Sequence, residues 1–98
     1  MAIIEVTIVP LGVPGTSLSK HVADVVRVVK ESGLQYELTA MGTIISGDLD
    51  EIWKVLRKMH EACFQGEVTR VSTQVKIDDR RDHAASPEQK IRSVMEKL

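Results

Sequence analysis

Residues Leu34 to Asp48 read LQYELTAMGTIISGD, and this stretch decides the fold. Leu34, Tyr36 and Leu38 alternate with Gln35, Glu37 and Thr39, the period of two that sets apolar side chains on one face of a strand and polar ones on the other. A tight turn near Met41 and Gly42 leads into Thr43-Ile44-Ile45-Ser46 as the returning strand, so the stretch is a β-hairpin. A helix-forming segment lies on either side of it and a further strand lies beyond each helix. The order strand, helix, hairpin, helix, strand leaves few ways to arrange one sheet. It fixes no activity, because this architecture carries many.

Outward from the hairpin, Asp48 and Glu51 have the spacing of a capping box and open a helix whose apolar stripe is Leu49, Ile52, Trp53, Leu56, Met59 and Cys63. Gly66 closes that region, and Glu67 to Ile77 form the last strand, with Val71, Val75 and Ile77 toward the core. On the N-terminal side, Ala2 to Val9 form the first strand, with Ala2, Ile4, Val6 and Ile8 facing the helices. Pro10, Gly12, Pro14 and Gly15 then break it. Thr16 or Ser17 caps a helix running from Leu18 to Ser32, in which Leu18, Val22, Val25 and Val29 recur at helical spacing, and Gly33 ends it. Past the charge run Asp78-Asp79-Arg80-Arg81-Asp82, Ser86, Pro87 and Gln89 start a short C-terminal helix over about 86–98. Its narrow stripe, Ile91, Val94, Met95 and Leu98, needs another surface to dock on.

The totals exclude several classes. At 98 residues the chain is one domain with one modest core, for which association with other copies is a source of stability. A formal net charge of -1 gives no field for nucleic acid or an anionic membrane, and Tyr36, Trp53 and Phe64 are too few for base stacking. The single cysteine, Cys63, rules out an intramolecular disulfide, no run is long enough to cross a bilayer, and the N-terminus carries no signal pattern. These features together indicate a cytoplasmic protein.

Candidate chemistry is sparse. His60 and Cys63 stand at i and i+3, but a zinc site needs three or four ligands and the sequence offers no third; Cys63 reads as a small buried hydrophobe. His21 and His83 have no nucleophile at a recognisable spacing and read as surface or helix-edge residues. No metal site and no catalytic residue is expected. The informative surface is the sheet face turned away from the helices, with Glu5, Thr7, Glu37, Thr39, Arg70, Ser72, Gln74 and Lys76 among Ile3, Val9 and Met41. It is either a solvated face or a contact for a second sheet or a small polar heterocycle.

The opening strand with its VPLG, the Thr16-Ser17 helix start, Tyr36-Glu37, the Met41-Gly42-Thr43 turn, and Thr73 followed by Lys76-Ile77-Asp78-Asp79-Arg80-Arg81-Asp82 resemble the small thiamine-binding domain family, relatives of the YkoF thiamine-binding protein. The resemblance spans essentially the whole chain, and the KIDDRRD block is its most specific part. It implies an α+β, ferredoxin-like βαββαβ sandwich; the order of elements, with both main helices on one face, predicts an antiparallel sheet in the order 4-1-3-2, to which the C-terminal helix is added. It also implies back-to-back sheet dimers that pair into a homotetramer, and a non-enzymatic pocket near a subunit interface for thiamine or its hydroxymethylpyrimidine moiety. Under it Thr7, Thr16, Ser17, Tyr36, Thr43, Thr73 and Lys76 are the ligand-binding candidates, since a pyrimidine ring needs a flat apolar slot with donors and acceptors at its edge. The alternative is a structural or regulatory homo-oligomerisation module with no small-molecule ligand.

Overall fold

A computed structural model describes residues 1–13, 18–82 and 86–98. Strand β1 (Ala2–Pro10), helix α1 (Ser19–Ser32), strands β2 (Gln35–Leu38) and β3 (Thr43–Gly47), helix α2 (Leu49–Ala62), strand β4 (Val71–Asp79) and helix α3 (Pro87–Met95) follow in that order. The sheet runs β2-β3-β1-β4 with every neighbouring pair antiparallel. This is the ferredoxin-like α+β arrangement, with α3 as the added C-terminal helix. Each helix connects strands separated by one other strand, and both pack on the same sheet face, which β1 and β3 dominate.

The core sits between that face and the two helices. Ala2, Ile4 and Val6 of β1 and Ile45 of β3 meet Val25 and Val29 of α1 and Ile52, Val55, Leu56, Met59 and Cys63 from α2 and its C-terminus. Fully burying a side chain of the size of Ile45 or Ile52 contributes about 1.5–3 kcal/mol, which outweighs the poor helix propensity of the valine-rich α1. Asp48 Oδ2 accepts from the Glu51 backbone N–H at 3.3 Å, whereas the Glu51 carboxylate pairs with Lys54 at 3.5 Å. Helix α1 begins behind Leu18, a residue without a capping oxygen, and ends at Gly33 with φ 80°, a left-handed conformation suited to glycine. The expected caps Thr16 and Ser17 lie outside the described residues.

The structure corrects three sequence expectations. Trp53 is 49% exposed and Val55 takes its place in the core. The buried set 52, 55, 56, 59 and 63 is a clean helical stripe, and Trp53, one residue past Ile52, is turned about 100° away from it. The last strand starts at Val71, because Gly66 at φ 59° and the turn bond from Val68 N–H to Gln65 O occupy the residues before it, and it runs on to Asp79 opposite Ala2. Val75 and Ile77 lie on the helix side as expected, yet they are exposed, since β4 is an edge strand that the helices only partly cover.

The opposite face carries Ile3, Glu5, Thr7 and Val9 on β1, Ile44 and Ser46 on β3, Gln35 and Glu37 on β2, and Ser72, Gln74, Lys76 and Asp78 on β4. Thr39 and Arg70, expected there, lie outside the strands: Thr39 builds the hairpin turn and the Arg70 carbonyl accepts from Leu11 N–H. The face is not wholly open. Helix α3, capped by Ser86 Oγ accepting from Gln89 N–H at 3.1 Å, lies over one end of it. Gln35 Nε2 donates to Glu88 Oε1 at 3.1 Å and Lys90 pairs with Asp78, but no residue of α3 is buried. The charge run beyond β4 neutralises itself, Arg81 bonding Asp79 and Arg80 bonding Asp82. The Arg81 hydrogen bond holds the Asp79 carboxyl below the usual carboxylate range. No helix among the described residues is long and apolar enough to cross a membrane.

Candidate functional site

The site is built from the hairpin turn outward. Thr39 N–H donates to Gly42 O at 2.8 Å, and the Thr39 hydroxyl accepts from Met41 N–H and Gly42 N–H at 3.2 and 3.1 Å while donating to Gly42 O at 2.8 Å. One side chain thus satisfies most of the turn, as threonine hydroxyls do where the backbone reverses. A second threonine ties the turn to the next strand, Thr7 Oγ1 donating to Met41 O at 3.2 Å. The approach is close because position 42 has no side chain: a Cβ there would sit 2.9 Å from Val6 O and 3.0 Å from Thr7 Oγ1.

Behind the turn lies a cavity of about 260 Å³ between the C-terminal half of β1, the N-terminal half of α1 and the start of β3. Val6, Ile8, Leu18, Val22, Leu38 and Met59 give it apolar walls. Among the described residues no lysine, arginine, aspartate or glutamate lines it. Its polar groups are the threonines and His21. Thr43, only 5% exposed, borders the cavity, and its hydroxyl has no hydrogen-bond partner among the described residues. Since no sealed polar side-chain atom among them is left unpaired, that hydroxyl is reached from the cavity. His21 stands half-buried on the α1 wall, likewise with no partner among the described residues. Such a lining is apolar with a few neutral hydrogen-bonding groups at its edge.

Of the sequence candidates, Thr7 and Thr43 both border this cavity, but their side chains lie on opposite faces of the sheet, Thr7 on the face that carries Lys76. Thr43 and Thr73 share the helix side of the sheet, whereas Lys76 lies on the other face opposite Glu5. A single pocket floored by the face away from the helices therefore does not contain all of Thr7, Thr43, Thr73 and Lys76. Strand alternation is the reason, since odd and even residues of β4 point to opposite sides. Thr73 is engaged elsewhere, hydrogen-bonded through Oγ1 to His60 Nδ1 at 2.7 Å. Tyr36 lies on the edge strand β2 opposite Ile45, away from the cavity. Thr16 and Ser17 lie outside the described residues, as does His83.

His60 also stacks edge-on against Phe64, with ring centroids 5.4 Å apart, and Cys63 is buried in the core, where burial and then the charge of Asp24 push its thiol up. Among the described residues no three metal-binding side chains converge. The residues that sequence reasoning missed are His21 and Thr39. His21 had a signal, for it precedes Val25 by four and so shares its helix face.

A family model described as thiamine-binding protein matches residues 4–95. The chain is 43% identical over 102 residues to the UPF0045 protein YqgV of Bacillus subtilis, covering 100% of this chain and 98% of that one. It is 43% identical over 95 residues to a UPF0045 protein of Methanothermobacter thermautotrophicus, covering 96% of each. The crystal structure of a hypothetical protein from Methanocaldococcus jannaschii superposes with a TM-score of 0.87 at 40% identity, covering 97% of this chain and 96% of that one.

Proposed function

This chain belongs to the thiamine-binding protein family, and from that membership we propose that it is a non-enzymatic binding protein for thiamine, held by its pyrimidine, or for free hydroxymethylpyrimidine. The ligand enters the cavity between α1 and the hairpin turn. One observation carries the reading: a nearly buried hydroxyl, Thr43 Oγ1, faces an apolar slot with no protein partner among the described residues. A hydroxyl both donates and accepts, which suits an aminopyrimidine edge, and the imidazole of His21 offers a second such group across the slot. The absence of charged groups from the described lining favours a neutral ring inside, with any thiazolium or phosphate outside.

Binding needs no catalytic group in this scheme, and the protein acts in the cytoplasm by sequestering or delivering its ligand. We further infer self-association into a homotetramer, a dimer of dimers, in which Glu5, Glu37 and Lys76 lie near a contact between sheets, with Arg70 just before the start of β4. Opposite charges on one small face suit pairing between copies. Isothermal titration with thiamine and with hydroxymethylpyrimidine tests the ligand: saturable heat at one site per chain is expected. No heat up to millimolar ligand would leave the homo-oligomerisation module as the function.

A further inference from the structure

The cavity behind the hairpin turn has a closed end and an open end of different character. At the closed end Val6, Val25, Met59 and Thr43 are buried. At the open end Leu18, Val22, Leu38 and Met41 line the same cavity yet stay exposed, Met41 to 80%. Single exposed apolar side chains are ordinary on a protein surface, but four of them, drawn from the start of α1, the end of β2 and the turn, form an apolar collar round one opening. Leu38 belongs to the collar because it pairs with Thr43 across the hairpin and so shares its side of the sheet.

Met41 is rooted more firmly than its exposure suggests. Its N–H donates to Thr39 Oγ1 at 3.2 Å, its carbonyl accepts from Thr7 Oγ1 at 3.2 Å, and the bare Gly42 beside it lies close against the Val6 carbonyl. The backbone is thus fixed, while the unbranched thioether side chain can settle on whatever occupies the opening, and methionine sulfur packs favourably against aromatic rings. We propose that Met41 and Leu38 form an outer subsite that holds the second ring of a two-ring ligand whose first ring fills the cavity. This deepens the binding function proposed above and rests on it. Size agrees. A cavity of about 260 Å³ is smaller than the roughly 300–1,000 Å³ that encloses a whole drug-sized ligand, so it takes one ring and leaves the rest at the mouth. Charge agrees as well: with no charged side chain among the described lining residues, the collar suits a flat ring of delocalised, weakly hydrated charge such as a thiazolium. It offers nothing to a phosphate, which keeps its hydration by projecting into water. Met41 thereby sets a preference for the two-ring compound over the single ring.

Titration calorimetry of the full chain with hydroxymethylpyrimidine and with thiamine, on the wild type, Met41→Ser and Met41→Leu, tests the subsite. The wild type should bind thiamine about tenfold tighter than hydroxymethylpyrimidine, the gain expected from covering about 55 Å² of apolar surface. Met41→Ser should bring that ratio to about one, chiefly by weakening thiamine, and Met41→Leu should restore most of it. The Met41 side chain is exposed and its hydrogen bonds are backbone ones, so the fold should stand, which thermal melting checks. A role in shaping the turn alone would move both dissociation constants together. A ratio near one in the wild type, or a ratio that Met41→Ser leaves at tenfold, overturns the outer subsite and leaves the inner site standing. No heat with either compound overturns the binding function itself, and the subsite with it.

Discussion

Gly42→Ala should destabilise the protein even though nothing about its backbone conformation demands glycine. The added methyl would lie 2.9 Å from Val6 O and 3.0 Å from Thr7 Oγ1. Neither atom yields easily, for one is β1 backbone and the other is bonded to Met41 O. Overpacking of this kind costs about 1–3 kcal/mol, and a turn displaced from β1 also loses the Thr7 hydrogen bond, about 1 kcal/mol. Against this, alanine lowers the entropy of the unfolded chain and returns about 0.4–1 kcal/mol. The net is a loss of about 1–3 kcal/mol, or a fall in Tm of roughly 5–15 °C for a domain of this size. Calorimetric melting of wild type, Gly42→Ala, Thr7→Ala and the double variant separates the terms. The double variant should recover only part of the loss, because the Val6 carbonyl remains in the way. A Tm for Gly42→Ala within a degree of the wild type would refute the close approach.

Two further outcomes follow from the site and the core. Thr43→Val keeps the shape of the wall but leaves a polar ligand atom unpaired, so the dissociation constant for hydroxymethylpyrimidine should rise tenfold to a hundredfold by titration calorimetry, about 1–3 kcal/mol, while Tm barely moves. Because burial raises the Cys63 thiol above its ordinary 9.0, the unfolded chain loses that proton first as pH rises; the stability linked to it is complete below pH 9 and falls as the pH climbs through the window above. Urea unfolding across that window should show a downward slope for the wild type that is shallower in Cys63→Ala, and equal slopes would mean that Cys63 does not sense its burial.

What was legible in the sequence was what short-range chemistry dictates. The hairpin, the Asp48 and Ser86 caps and the Gly33 stop each depend on residues a few positions apart, and the strand and helix order then leaves one familiar sheet. Trp53 misled because a large apolar residue beside a stripe looks like part of it, and only the helix rotation shows Val55 to be the inner neighbour. The site was half legible. Thr7 reaches the hairpin turn at Met41 O because the turn folds against β1, a register that the sequence does not state, and that register leaves Thr43 on the opposite face. Thr73, by contrast, shares the parity of Val71 and Val75, so its helix-side position was already implied by alternation along the strand. His21 was overlooked because a histidine without a chemical partner in sequence looks idle, and its value comes from the cavity that three separate elements create around it.

The sheet also sets the order in which the chain can be assembled. Its longest ladder joins β1 to β4, nine partner pairs between strands from opposite ends of the sequence, whereas the hairpin contributes four pairs between adjacent segments. Closing the larger loop carries the greater entropic cost, so the hairpin can form early and the β1–β4 ladder only late. During synthesis this leaves one side of β1, rich in isoleucine and valine, without its neighbour until almost the whole chain has emerged. That interval, rather than any weakness of the finished fold, is when a nascent copy is most exposed to pairing with the wrong strand.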